Sequence, residues 1–183
     1  MLFAHDTEVA LAFAATLVNT EGEEEGLPDQ AALDELLRPW RFTGRRARDR
    51  AELRAVHELR PRLREVWHAG EDRAVEIING LLAEAGALPY LVKHDGWDYH
   101  LHATDPAAPL ADRIAVETAM AMVDVIRADE LSRLAVCGDD TCDGLVLDLS
   151  RNRSRRYCST ACANRNAVAA YRARARRAPG QSP

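Results

Sequence analysis

Aromatic side chains are scarce in this sequence, at 5% of 183 residues. That argues against an aromatic-rich β-sandwich. Much of the 47% apolar share is alanine, which favours helices in close contact. No apolar run reaches the roughly 18 residues that a membrane span requires. Met1 is not followed by a basic, apolar, small-residue leader, so the expected compartment is the reducing cytoplasm, with no membrane attachment. Catalytic signatures are missing too. There is no Gly-rich phosphate loop and no Ser/His/Asp or Cys/His arrangement at a recognised spacing, so the expectation is a protein that is not an enzyme. Cysteine is absent outside Cys137–Cys162, and acid is absent after Asp148.

The second of those gaps splits the charge. All 29 acidic residues lie at or before Asp148, together with 15 basic ones, a net charge of −14. From Leu149 to Pro183 there are nine arginines and no acid, a net charge of +9, and the two parts make the formal −5. Such asymmetry points to a segment that binds nucleic acid. Its alternative is an arginine-rich helix docked on the acidic body.

The four cysteines form two close pairs. Cys137 and Cys142 are separated by four residues, Cys158 and Cys162 by three, and the pairs by fifteen. Each pair can clamp one edge of a tetrahedral ion, and the connector is long enough for a β-hairpin. Two disulfides, or four unrelated thiols, are the competing readings, and a reducing compartment disfavours the first. Four cysteines close the shell with no position left for water, so the expected cofactor is one structural Zn²⁺. The arginines nearby, Arg151, Arg153, Arg155, Arg156 and Arg165, would offset the negative charge of four thiolates.

Upstream, the apolar period predicts helices starting at Asp6 or Thr7 (Val9, Phe13, Leu17 inward), after Pro28 (capped by Asp29), over 45–68, over 71–85 stopped by Gly86, and over 110–128. A kink or break is expected at Pro61. The acidic run 23–25 and the arginines of 45–50 read as solvated. Residues 90–102 alternate like a hairpin turned at Asp95-Gly96. That turn would pair His94 with Trp97, Lys93 with Asp98, Val92 with Tyr99 and Tyr90 with Leu101, leaving His100 and His102 on a wetter face as polar surface rather than as a site.

In the cysteine segment, Gly138 and Gly144 allow tight turns. Residues 145–150 form a strand, 152–154 turn, and 155–157 lead back to Cys158. Ser159 or Thr160 then caps a helix to about Arg177, with Cys162 in its first turn. The result is a treble-clef-like finger. Arg165, Arg172 and Arg176 fall along one side of that helix, while Val168 is expected to touch the finger's own core.

The runs Leu147-Asp148-Leu149-Ser150-Arg151-Asn152, Arg155-Arg156-Tyr157-Cys158-Ser159 and Cys162-Ala163-Asn164-Arg165 resemble the CGNR zinc finger. Leu17-Val18-Asn19-Thr20 resembles the opening motif of the ABATE domain, which precedes that finger in bacterial proteins. Ala163 replaces the glycine of the naming motif, and Leu145-Val146 stands where the family tends to have an aromatic-containing pair. The resemblance implies a stress-induced transcription regulator that binds DNA.

The expected architecture is α+β. A mainly α-helical domain with a β-hairpin covers 1–132, a four-cysteine finger with a basic helix covers 133–178, and a disordered tail covers 179–183. Arg151, Arg153, Arg155, Arg156, Arg165, Arg172 and Arg176 are the candidate phosphate contacts, with Asn164 and Asn166 as candidates to reach a base. The N-terminal domain would bind a small molecule or a protein, or form a homodimer. The alternative is a protein-interaction module whose basic finger docks an acidic partner.

Overall fold

Helix α5 (Leu110–Arg127) lies at the centre of the helical domain. Ile114, Thr118, Ala121, Met122 and Val125 recur at helical spacing and are all buried, as the period requires. It packs against α1 (His5–Val18), α3 (Arg50–His68) and α4 (Glu71–Glu84). The computed structural model describes residues 2–177 apart from residues 23, 41, 94, 95 and 97, with the backbone alone at Arg177.

Helix α1 departs from a simple apolar stripe. Thr7, Leu11, Phe13, Ala14, Ala15, Leu17 and Val18 are buried, while Val9 is only half-buried, because neighbours lie on several sides of the helix. Helix α2 (Gln30–Leu37) starts as expected, with the Asp29 carboxylate accepting the Ala32 amide at 2.9 Å. Helix α3 begins at Arg50, later than expected. Asp49 accepts the Glu52 amide, and the Glu52 carboxylate reaches back to the amides of Ala47 and Arg48, a reciprocal cap that fixes the start. The arginines before it are not all solvated. Arg46 is largely buried between Asp34 and Glu52. The helix is unbroken through Pro61. Helix α4 ends as expected, with Gly86 at φ +59° just beyond it.

The acidic run is also partly engaged. Glu25 forms a two-pronged pair with Arg60, which is buried to 4% exposure; Glu23 lies outside the described residues.

The first hairpin, β1 (Tyr90–Val92) with β2 (His100–His102), pairs Tyr90 with His102, Leu91 with Leu101 and Val92 with His100. This is one residue out from the expected register, and a slip of one exchanges the faces. His100 and His102 therefore share a face with Tyr90 and Val92 and are half-buried, whereas Tyr99, Leu91 and Leu101 are exposed. The Tyr90 ring against His102 and the Tyr90 hydroxyl on the Thr104 carbonyl hold this register. The expected turn residue Asp95, the His94–Trp97 pair and the tail 179–183 lie outside the described residues.

Beyond a 3₁₀ turn (Leu131–Arg133), β3 (Leu134–Val136) pairs antiparallel with β4 (Leu145–Leu147). The expected partner of β4 was the return segment 155–157, which forms no strand. The hairpin instead folds around the Cys137–Gly144 loop, and 155–156 is tied down by single bonds, Arg155 N to the Asp148 carboxylate and Gly138 N to the Arg156 carbonyl. Alternate residues of this hairpin serve two cores. Leu134, Leu145 and Leu147 enter the helical core, while Val146 packs with Cys137 and Cys162. Helix α6 (Thr160–Arg177) completes the finger.

Candidate metal centre and basic helix

Local chemistry brings the four sulfurs together. The Cys137–Gly144 loop supplies two thiols, and Ser159 supplies the cap of α6, its hydroxyl accepting the Cys162 amide at 3.2 Å. Cys158 sits just before that helix and Cys162 in its first turn. The four Sγ atoms lie within 4.8 Å of one another. Cys142 and Cys158 are 3.6 Å apart, and Cys158 and Cys162 3.8 Å. A tetrahedron with Zn–S bonds of about 2.3 Å has edges of about 3.8 Å, so these separations fit one zinc ion. None of the four is in a disulfide. Burial and the neighbouring sulfurs push the Cys158 thiol up to about 12, whereas the Ser159 hydroxyl lowers that of Cys162. Four thiolates this close repel one another, and a cation at their centre relieves that repulsion. One structural zinc held by Cys137, Cys142, Cys158 and Cys162 satisfies the site.

Gly144 is required here by space. A Cβ on it would stand 2.8 Å from the Cys158 Sγ and 3.3 Å from the Cys142 Sγ. Its amide donates to the Cys142 sulfur, and the Cys158 amide donates to the Cys137 sulfur, each at 3.4 Å. Ala163, in place of the motif glycine, lies inside α6, where alanine is the better helix former.

The candidate nucleic-acid residues divide into two groups. Arg165 Nε and Asn166 Nδ2 both donate to the Asp139 carboxylate, at 2.7 and 2.8 Å, and Arg165 also reaches the Cys162 sulfur at 3.4 Å. These two side chains brace the metal loop against α6 and offset thiolate charge. Asp139, buried to 4% exposure, is the residue that sequence reasoning missed. Its only signal is an acid inside the Cys137–Cys142 loop. The Arg165 guanidinium, helped by Thr141, holds its carboxyl well below the usual range, at about 2. Arg153 is engaged with Glu130 and Ser132, and Arg155 makes two long contacts, to the Leu147 and Cys158 carbonyls.

Arg151, Arg156, Asn164, Arg172 and Arg176 are exposed and make no side-chain hydrogen bond or ion pair among the described residues. Arg174, outside the expected set, is in the same state. Every residue from Ala167 to Arg176 is exposed, including Val168 at 47% and Tyr171 at 67%. Val168 therefore does not contribute to the finger's core as expected. That core is closed nearer the metal by Val146 and Tyr157, and the far half of α6 projects beyond it.

The finger is joined firmly to the helical domain. The Asn19 side chain, at the end of α1, both accepts from the Leu145 amide (2.6 Å) and donates to the Leu145 carbonyl (2.9 Å). Trp67 Nε1 donates to the Val146 carbonyl, and Arg64 to that of Asp143. No helix among the described residues is long and apolar enough to cross a membrane.

No functionally curated protein matches the chain. Residues 133–175 match the CGNR zinc finger. Residues 7–129, two thirds of the chain, match the ABATE family, described as "Putative stress-induced transcription regulator". With the helical domain, its hairpin and the four-cysteine finger all in place, the chain belongs to the ABATE family and carries a CGNR zinc finger after that domain.

Proposed function

We propose that this protein is a DNA-binding transcription regulator in which the zinc finger fixes the base of α6 and presents its outer half to a duplex. The projecting run Ala167–Arg176, exposed throughout and free of acid, carries this reading. An isolated helix of this length is marginal in water, so its arginines gain most from a partner that supplies charge along their length. A duplex groove, with phosphates on both walls, suits a rod with arginine on more than one side. Asn164, exposed nearer the base of α6, is the proposed contact to a base edge. The helical domain is the part that receives the signal, and no reaction is assigned to the protein.

With Arg151, Arg156, Arg172, Arg174 and Arg176 as phosphate contacts, the slope of log K against log salt should be roughly −4 to −5. Arg172→Ala combined with Arg176→Ala should reduce its magnitude by roughly 2 and weaken all duplexes alike. Mobility shift of the zinc-loaded protein on its own promoter region, with salt varied and a chelator control, measures both. A slope near zero overturns the reading. The exposed Val168 and Tyr171 favour a second reading, in which α6 docks an acidic protein or a second copy of this chain. That reading leaves no DNA affinity for the double substitution to remove.

A further inference from the structure

The helical domain contains a cavity of about 220 Å³ between α1, α5, β2 and the residues Trp40, Phe42 and Thr43. It is smaller than the roughly 300–1,000 Å³ pockets that take drug-sized ligands, a size suited to a compact metabolite. Its floor is aromatic. Phe13, buried to 2% exposure, meets the Trp40 ring edge-on at 5.4 Å and the Phe42 ring at 4.6 Å. The wall at Thr43 is pinned from behind by buried Arg113, which donates to the Thr43 and Arg45 carbonyls. The aromatic surface is thus held in place before anything binds.

Among the described residues, the carboxylates of Asp6, Glu117 and Asp124 line the cavity together with the exposed Arg127. Asp124 accepts the Thr7 hydroxyl at 2.6 Å and Asp6 the Leu101 amide at 3.4 Å, so each is held by a neutral donor and by no cation among the described residues. The two histidines of β2 complete the lining. His100 Nδ1 faces the Asp98 carbonyl at 2.8 Å, which can only accept. His100 Nε2 lies 3.1 Å from His102 Nε2, so the two rings are linked to each other along one side of the cavity.

We propose that this cavity is a binding site for a small organic amine with a flat apolar body, its ring against Trp40 and Phe42 and its ammonium group paired with Asp124 and Asp6. Aromatic faces and carboxylates both favour a cation, and both disfavour an anion of the same shape. The site specifies the sensing half of the regulator reading and rests on that reading only for its purpose. Calorimetry without DNA measures the binding alone, so a failure here leaves DNA binding by α6 untouched, and the reverse.

The test titrates tryptamine and 2-phenylethylamine into the zinc-loaded full chain at neutral pH and low salt. Indole-3-acetate and 3-phenylpropionate serve as anions of similar shape. The amines should bind with dissociation constants below 1 mM and at least about tenfold more tightly than the acids, the equivalent of one charge-assisted hydrogen bond. Asp124→Asn, which keeps an acceptor for Thr7, and Asp6→Asn should each weaken the amines by about tenfold and leave the acids no weaker. Circular dichroism confirms that each variant is folded. Amines that fail to bind, acids that bind as well, or folded variants that bind the amines as before would each overturn the proposal.

Discussion

At the scale of single residues, the energetics concentrate where a charge is buried and its partner is not. Arg60 is 4% exposed and lies between Thr20 and Glu25, whose side chain is 40% exposed. The guanidinium holds the Glu25 carboxyl down at about 2, from an ordinary 4.5. A lowered carboxylate pKa adds stability above the unfolded value and loses it as pH falls toward the folded one. Glu25→Gln should therefore cost roughly 1–3 kcal/mol at neutral pH. Most of that cost is Arg60 left without its charged acceptor, because the exposed side of the pair is screened. The gap between variant and wild type should close as pH falls from about 4.5 to about 2. Urea unfolding of both proteins at matched pH measures it, and the difference cancels any loss of zinc that they share. A gap that stays constant into the acid range would contradict the assignment.

At the scale of elements, what was legible depended on how local the signal is. The cysteine spacing, the Asp29 cap, the Gly86 stop and the buried stripe of α5 are written within a few residues, and each stands where the sequence placed it. The register of β1 with β2 depends on contacts such as the Tyr90 hydroxyl with the Thr104 carbonyl, and a one-residue error there moved both histidines to the wrong face. The partner of β4 was missed for a similar reason. β3 precedes the first cysteine, and nothing in Leu134–Val136 itself marks it as the other half of the finger's hairpin. Asp139, which holds Arg165 and Asn166, was overlooked because a loop acid carries no periodicity. Asn19 shows what such long-range pairing is worth. Its side chain closes two hydrogen bonds with the backbone of Leu145, itself 2% exposed. Asn19→Ala leaves a buried amide and carbonyl without partners, at about 1–3 kcal/mol. Chemical denaturation should register that loss, and hydrogen exchange at the β4 amides should accelerate before exchange in α5 does. Unchanged β4 exchange would mean that the finger does not depend on this clasp.

At the scale of the whole molecule, the two cores are joined through one hairpin, and zinc and helices should therefore stabilise each other. Leu145 and Leu147 face the helical core, while Val146 between them faces the sulfurs. The metal supplies on the order of 10 kcal/mol to a segment too small to fold without it. Once it is removed, β4 loses its anchor, and two leucines, each worth about 1.5–3 kcal/mol when buried, leave the helical core. A loss of about 3–6 kcal/mol in a chain of this size corresponds to a fall in Tm of roughly 6–24 °C. Chelation should therefore lower the melting of the helical signal itself, and melting should remain a single transition while zinc is bound. The same geometry offers a route in the other direction for the ligand proposed above. Helix α1 lines the cavity with Phe13 and ends at Asn19 on β4, and α5 lines it with Asp124 and leads within a few residues into β3. Scanning calorimetry with and without chelator decides whether the parts are coupled. A helical domain that melts at the same temperature without zinc would mean that the finger is only appended, and a ligand in the cavity would then have no route to α6.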